Sequence, residues 1–323
     1  MEPQKEPNPN YLPYPPHAQQ PADDEIDLRE LLKALWKGKW IIIATTFVFA
    51  IGSVLYALSL PNIYKADALL APTESSNGGG LSKMAGQLGG LAALAGVNLG
   101  SSETSQTELA VHVMKSRKFI ESFISEHELL VPVMAVKGWS EKENELVIDN
   151  ELYDVKKNKW LRAPKGLRGI KPSLQEASEV FIRDIFTIVQ DKESGLYTVS
   201  VRYYSPNISK DWVNWLIEDI NRVMRERTIS ETSQNLDYLN TQLQKTSVAD
   251  MQSTFYKLIE EQTKSLMLAE VQEEFVFKIL DPAISPEIKD SPKRLIIVLL
   301  GMILGGVLSV SAILVRNYLI KRD

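Results

Sequence analysis

The chain has 323 residues, with 36 Lys and Arg against 41 Asp and Glu, and a formal net charge of −5. It contains no cysteine, which excludes disulfides, thiol catalysis and thiolate metal sites. No basic stripe interleaved with aromatic residues stands out, which argues against a nucleic-acid partner. The three histidines (His17, His112 and His127) are far apart in sequence and lack metal-ligand spacing. Residue content therefore predicts no metal, no cofactor and no catalytic residue.

The N-terminal segment predicts a tail, a short helix and a first membrane span. Residues 1–25 are rich in Pro, Asn and Gln without apolar periodicity, which predicts a disordered tail. Four leucines recur at helical spacing and predict a juxtamembrane helix over residues 26–40: Leu28, Leu31, Leu32 and Leu35. Residues 41–60 carry no charge and are long enough to cross a hydrocarbon core of about 30 Å. Trp36 and Trp40 lie at its entry as interfacial anchors.

The charges that flank the apolar segments predict the orientation of the chain in a membrane. Four basic residues precede the first span: Arg29, Lys33, Lys37 and Lys39. The positive-inside rule then places the tail and the juxtamembrane helix in the cytoplasm. A second span over residues 295–315 returns the chain to a cytoplasmic tail at 316–323, which leaves residues 61–294 as a periplasmic domain. A cleaved signal peptide is disfavoured, because the first apolar run starts late and is too long.

The region between the spans begins with a strand at residues 64–70, followed by a Gly/Ala/Leu-rich segment over 75–102. We considered a phosphate-binding loop there, but no G-x-x-x-x-G-K-[ST] motif occurs. The sequence instead favours a mobile apolar segment. Further on, residues 186–190 and 196–204 are rich in β-branched and aromatic residues and predict two strands joined by a turn at Gly195.

A long helical stretch follows, capped by Ser205 and Pro206. No Gly or Pro occurs between residues 207 and 280. The helical pattern has a polar break near Ser247. Residues 225–235 are almost wholly polar, so this part is predicted to project into solvent, pack on a second helix or meet another subunit. Residues 275–280 predict a strand beside 64–70. The fold class is α+β: two transmembrane helices flank an α/β membrane-proximal domain with a long helical projection.

The last stretch, residues 281–315, contains the candidate site residues. Three prolines interrupt regular helix before the second span: Pro282, Pro286 and Pro292. Three glycines lie inside that span: Gly301, Gly305 and Gly306. Glycines four residues apart expose backbone on one helix face, which favours close packing of another membrane helix. The alternative is a plain anchor with a stiff lead-in.

Several ordered features resemble the Wzz-type chain length determinant proteins, which are polysaccharide co-polymerases. The features are the two spans, the glycine- and leucine-rich segment, the prolines before a glycine-containing second span, and three stretches: DYLNTQLQKT at 237–246, YKLIEEQTKSLMLA at 256–269 and FVFKILDPA at 275–283. The resemblance covers nearly all of the chain after the N-terminal tail. Because the sequence ends about eight residues after the second span, it is similar to the class without a kinase domain.

The resemblance implies a non-enzymatic homo-oligomeric ring in the bacterial inner membrane. Such a ring would set how many units a membrane O-antigen polymerase adds to a glycan on a lipid carrier. The lipid bilayer is a partner because the chain is predicted to span it twice. Direct contact with the lipid-linked glycan stays open. Two alternatives from other classes also stay open: a two-span membrane sensor and a membrane-anchored periplasmic enzyme. A sensor would need a cytoplasmic output domain, and an enzyme would need convergent polar side chains.

Overall fold

The structure is a computed structural model, which describes residues 35–73 and 106–322, with side chains as far as residue 316. The chain divides into two compact units. We call residues 60–293 the central unit, and the helices that precede and follow it the helix pair. The predicted tail at 1–25, most of the juxtamembrane helix at 26–40 and the Gly/Ala/Leu-rich segment at 75–102 lie outside the described residues.

The described residues form these helices and strands in chain order: α1 (Lys39–Ser59), β1 (Tyr64–Pro72), α2 (Gln106–Met114), α3 (Arg117–Glu126), α4 (Leu130–Ala135), β2 (Val136–Ser140), β3 (Glu145–Ile148), β4 (Tyr153–Asp154), β5 (Lys159–Trp160), α5 (Leu174–Val180), a π-helical turn (Phe181–Ile185), β6 (Phe186–Gln190), β7 (Tyr197–Tyr203), α6 (Pro206–Lys245), α7 (Ala249–Val271), β8 (Phe277–Asp281) and α8 (Arg294–Arg322). The mixture is the α+β class that the sequence predicted.

The helix pair consists of α1 and α8, which pack on each other. Lys39–Ser59 has a mean hydropathy of 2.3 and Arg294–Arg316 one of 2.6, and both are long enough to cross a membrane. Their outward side chains are large and apolar, for example Phe47, Leu55 and Ile303. The two predicted spans are therefore helices of the expected length, within a few residues of the predicted ends.

The central unit is built on a four-stranded antiparallel sheet in the order β6-β7-β1-β8. Tyr64 pairs with Tyr203 at one end of the sheet and Leu70 with Tyr197 at the other. The predicted strands at 186–190 and 196–204 are present, and Gly195 between them has φ +73°. The predicted return strand lies beside β1 as β8, where Leu70 pairs with Ile279.

Helices cover the sheet, and the hydrophobic core is formed by the helices and the sheet together. Ser173 and Ser205 accept hydrogen bonds from the backbone N–H groups three residues on, which starts α5 and α6 as their sequences predicted. The first half of α6 presents an apolar face to the sheet and to helix α2. The largest fully buried side chains there are Trp212, Phe123, Phe181, Phe277 and Leu216.

The second half of α6 extends away from this core together with α7. Helix α6 has 40 residues, about 60 Å at 1.5 Å per residue, which is much longer than any strand beneath it. The chain leaves helical geometry at residues 246–248, near the predicted polar break, and α7 then packs back along α6. Together these two helices are the predicted helical projection.

One prediction for the central unit is wrong in part. The polar, mixed sequence of residues 141–168 predicts a mostly irregular stretch with one strand near Val147. Strand β3 lies there, but β4 and β5 also pair, and the backbone of Lys165 bonds to that of Arg168. These strands have only two to five residues and no long alternation, so their pattern is weak. Tyr153 and Trp160 stabilise them by packing edge to face on each other and on Ala135.

Candidate functional site at the helix pair

Two of the predicted glycines lie where α8 approaches α1 most closely. A Cβ atom added at Gly301 would lie 2.5 Å from the Cβ of Ser53, and one at Gly305 would lie 2.7 Å from the Cβ of Phe49. Carbon atoms in contact prefer separations of about 3.5–4.0 Å, so neither position accepts a side chain without displacing α1. The spacing of four residues therefore puts both glycines on the α1-facing side of α8.

The third glycine differs from these two. At Gly306 an added Cβ would meet nothing closer than the Thr46 Oγ1, at 4.0 Å, which is an ordinary contact. Two further positions of this interface were missed by sequence reasoning. Gly38, just before α1, faces Ile313, and Ser309 is buried and donates its hydroxyl hydrogen bond to the carbonyl of Gly306. The small residues of α1 and α8 could have indicated them, but which of them face each other requires the structure.

The three predicted prolines lie in a non-helical segment between β8 and α8. Hydrogen bonds tie this segment to the central unit: the Ser285 hydroxyl donates to Asn207 Oδ1 at 2.9 Å, and the Asp290 N–H donates to the carbonyl of Ile63 at 2.9 Å. The Asp290 carboxylate also pairs with Arg202 at 3.3 Å. Proline cannot donate backbone hydrogen bonds or continue a helix, so these residues keep the lead-in extended. Their role in function stays a prediction.

The central unit also has a cleft beside the edge strand β6, with a volume of about 260 Å³. Its polar lining comes from Glu108, His112, Lys115, Gln190 and Tyr197. Burial raises the pKa of the Tyr197 hydroxyl, and the charge of Glu108 adds to this effect. Within residues 35–73 and 106–322, no group of three or more His, Asp or Glu side chains could hold a metal ion.

His127 joins α3 to α6 rather than forming part of a metal site. Its Nε2 lies 2.9 Å from Asp219 Oδ2, and its ring stacks on Trp215 with centroids 4.5 Å apart. Arg222 donates to Asp219 Oδ1 at 2.7 Å and to Glu126 Oε2 at 2.6 Å. The contacts fit the prediction that this histidine is a polar residue on a helix face. They also make a polar network across the base of the projection.

Models of known families match two separate regions, one in each half of the chain. A family model described as "Chain length determinant protein", Wzz, matches residues 24–127. The chain carries a Wzz domain. The resemblance that the sequence motifs indicated is therefore confirmed by a family model over this part of the chain.

A second family model matches residues 239–318 and is described as "G-rich domain on putative tyrosine kinase". It spans the end of α6 from residue 239, α7, β8, the prolines and the glycines of α8, so the predicted site residues lie inside it. This description points to a class associated with kinases. The assignment of this Wzz-type chain to the class without a kinase domain stays a prediction.

Two solved structures are similar to this chain. One is a "full-length bacterial polysaccharide co-polymerase", with 14% identity and a TM-score of 0.41, covering 92% of this chain and 99% of the other. The second is a fragment of the WzzB polysaccharide co-polymerase from Salmonella Typhimurium, with 13% identity and a TM-score of 0.26, covering 71% of this chain and all of the fragment. No curated protein matches the chain. At these low scores the family models alone carry the assignment.

Proposed function

We propose that this chain is a non-enzymatic regulator of polysaccharide chain length in the bacterial inner membrane. It assembles into a homo-oligomeric ring that acts on a membrane polymerase, with lipopolysaccharide O-antigen as the polymer. Both termini are cytoplasmic, and residues 61–294 form the periplasmic domain. The observation that carries the proposal is the Wzz domain at residues 24–127, in a chain with two helices able to cross a membrane.

The close packing of α1 and α8 suggests how the membrane part contributes. A helix pair that meets through Gly301 and Gly305 has a fixed separation, because the glycine backbone already lies against the side chains of Ser53 and Phe49. The outward faces of both helices remain apolar and are available to lipid or to another membrane helix. The extended proline segment connects this pair to the central unit. In our proposal the polymerase contacts the helix pair and responds to the separation of its two helices.

Glycan profiling in a strain that lacks the protein tests the function directly. Loss of the protein should leave polymer of unregulated length, and the wild-type gene should restore a preferred length. The total amount of polymer should change little, because the bond-forming step belongs to the polymerase. A complete loss of polymer would instead support the anchored-enzyme alternative. An unchanged length distribution would contradict the proposal.

Alanine substitutions test the role of the helix pair with little change in chemistry. Gly301→Ala and Gly305→Ala each add one methyl group against α1, and overpacking of this kind costs about 1–3 kcal/mol. We expect a broadened or shortened glycan distribution at wild-type protein level. Gly306→Ala is the matched control, since the same methyl group has room there. If all three variants behave as the wild type, the second span is a plain anchor.

Cross-linking tests the ring, because the native chain has no cysteine. Glu226 and Glu231 are exposed on the part of α6 that leaves the core. Single cysteines at these positions should form cross-links between subunits in the native membrane. A chain that remains a monomer in membranes and in detergent would contradict the oligomeric part of the proposal.

Topology can be measured separately with reporter fusions at Asn144, which lies in the exposed turn between β2 and β3. We expect activity of a periplasmic reporter at this position. Activity of a cytoplasmic reporter there would contradict the proposed orientation without affecting the assignment to the Wzz type.

A further inference from the structure

The segment of residues 155–172, which we call the basic segment, differs in charge from the rest of the chain. It holds seven of the 36 basic residues and no acidic residue, although the whole chain has a net charge of −5. The seven are Lys156, Lys157, Lys159, Arg162, Lys165, Arg168 and Lys171. Because they are spread over 18 residues with few aromatic neighbours, the sequence search for a basic stripe with aromatics missed them.

The basic segment ends in a small hairpin with an apolar tip. Lys165 and Arg168 exchange backbone hydrogen bonds of 3.0 and 3.1 Å, so Gly166 and Leu167 form a two-residue turn. Gly166 has φ +61°, which glycine adopts without strain. Leu167 is fully exposed, with a relative exposure of 107%, and Ile170 beside it is half exposed. The hairpin therefore presents apolar surface directly beside basic side chains.

Arg162 holds this hairpin in place. Its Nη1 and Nη2 donate to both carboxylate oxygens of Glu176, at 2.6 and 2.7 Å, and its Nε donates to the carbonyl oxygens of Gly169 and Ile170, both at 3.0 Å. Glu176 itself is buried at the start of α5. The exposed hairpin is therefore fixed to the central unit by a bidentate ion pair, and its tip is presented at a defined position.

Most of the positive charge of the segment remains exposed and unneutralised. Arg162 pairs with Glu176, Arg168 lies near Glu176 and Glu179, and Lys157 lies 3.7 Å from Asp154. The four remaining lysines make no ion pair with any residue that the structure describes: Lys156, Lys159, Lys165 and Lys171. These side chains are exposed, and Lys165 directly precedes the Gly166–Leu167 turn.

Contacts locate the segment near one end of the sheet. Trp160 packs with Ala135 at the end of α4, and the Tyr203 hydroxyl donates to the carbonyl of Pro132 in the same helix at 2.7 Å. Tyr203 pairs with Tyr64, the first residue of β1. Tyr64 follows the last residue of α1 by five positions, a length of chain that reaches no more than about 18 Å. The segment thus lies at the end of the sheet where the chain joins the spans.

From this juxtaposition of lysines, an exposed leucine tip and the span-proximal end of the sheet, we propose that the basic segment docks on an anionic lipid surface. The lysines contact phosphate headgroups, and Leu167 inserts between them. Both features match a bilayer, because the negative charge of the lipid headgroups attracts lysines and the acyl region just beneath them accepts the leucine. An acidic glycan would use the lysines but leaves the leucine in water, so it fits the surface less well.

A quenching experiment on the full-length chain tests this proposal. Ala163→Cys introduces a single thiol at an exposed position beside the hairpin and leaves Leu167 intact. An environment-sensitive fluorophore is attached to this thiol. The protein is reconstituted in nanodiscs of phosphatidylcholine, alone or mixed with phosphatidylglycerol, that contain a headgroup-linked quencher. We expect strong quenching in the anionic discs and weak quenching in the neutral ones, with the difference reduced by salt.

Two variants separate lipid docking from mere proximity to the membrane. Lys159→Gln/Lys165→Gln/Lys171→Gln removes three lysines that have no ion pair, and at about fivefold per lysine it should weaken docking by roughly 100-fold. Leu167→Ser should weaken docking without changing the charge. A fluorophore at Glu193→Cys, in the turn at the opposite end of the sheet, is the matched control and should remain unquenched.

Each remaining outcome contradicts the proposal. Absence of quenching at position 163 would show that the segment does not reach lipid. Quenching that is equal in neutral and anionic discs, or unchanged in the triple lysine variant, would show proximity without headgroup binding. Protection of the fluorophore by an acidic polysaccharide but not by lipid would assign the segment to a glycan. Circular dichroism spectra like that of the wild type are required of each variant, and Lys165→Gln alone provides a milder version of the charge test.

Discussion

The two halves of α6 have similar helical geometry but opposite surroundings. Between residues 206 and 224 the helix buries nine side chains, among them Trp212, Leu216 and Ile220. From residue 225 to residue 245 its only buried side chain is Thr232. The inner half is therefore held by the sheet and the helices around it, whereas the outer half runs along α7.

This difference shows what keeps a long helix together. Helix propensity and the Ser205 cap start α6, but isolated helices gain little stability in water, and most of it comes from packing an apolar face. The inner half has such a face, and the outer half mostly has polar and charged residues. We infer that the inner half determines the stability of the central unit, and that the outer half is kept for contacts with other molecules.

The largest expected effect is at Trp212, which is 2% exposed and packs against Phe181 and Tyr203. Trp212→Ala should lower the free energy of unfolding by about 3–5 kcal/mol, because it leaves a large cavity. For a unit of this size that corresponds to a thermal midpoint lower by roughly 10 °C, measured by far-UV circular dichroism of the full chain in detergent.

The matched control is on the same helix. Tyr238 is 63% exposed on the outer half, and Tyr238→Ala should change the midpoint by no more than about 2 °C. If the two substitutions have similar effects, the proposed division of α6 is wrong. Trp212→Phe, which should cost less than Trp212→Ala, provides a graded measurement if the alanine variant fails to fold.

A smaller effect is expected at Asn221, a buried amide on the inner half. Its Oδ1 accepts hydrogen bonds from the N–H groups of Val276 and Phe277, and its Nδ2 donates to the carbonyl of Phe277. Asn221→Ala would leave these three backbone groups unpaired, at a cost of about 3 kcal/mol. Hydrogen exchange should increase first in β8. Asn235→Ala, exposed on the outer half, should leave exchange in β8 unchanged.

Sequence patterns predicted much of this architecture because its elements carry strong local signals. The uncharged runs, the Ser205–Pro206 start of α6 and the aromatic strands β6 and β7 each depend on neighbouring residues alone. The glycine spacing of four in α8 likewise indicated a packing face. The family resemblance arose from the order of these features along the chain.

Other features depend on partners distant in sequence and could not be predicted. The amide of Asn221 meets a strand 55 residues away, and Arg162 meets Glu176 only because the short hairpin at Lys165 and Arg168 folds between them. Similarly, the space beside each glycine of α8 requires the structure: Phe49 lies against Gly305, whereas Gly306 has room for a methyl group. The hairpin at Leu167 was missed because its strands are too short for a periodic signal.

The smallest expected effect concerns the ion pair between Arg162 and Glu176, which joins the basic segment to α5. Hydrogen bonds from Arg162 hold the pKa of Glu176 below its ordinary value near 4.5, with burial acting in the opposite direction. Because the folded-state pKa is lowered, the pair adds stability above the unfolded pKa, and that stability is lost as the pH falls through the folded pKa. Glu176→Gln should cost about 2 kcal/mol at neutral pH.

The difference between wild type and Glu176→Gln should therefore be largest at neutral pH and should shrink as the pH falls through the lowered pKa of Glu176, where the wild-type carboxylate also becomes neutral. Thermal midpoints measured across this range provide the test. The exposed pair of Arg227 and Glu231 on the outer half of α6, at 2.8 Å, is the comparison. Glu231→Gln should cost no more than about 0.5 kcal/mol at any pH, because solvent screens an exposed i,i+4 pair. Equal costs at both positions would mean that the pair of Arg162 and Glu176 is no better protected from water than the exposed pair on the outer half of α6.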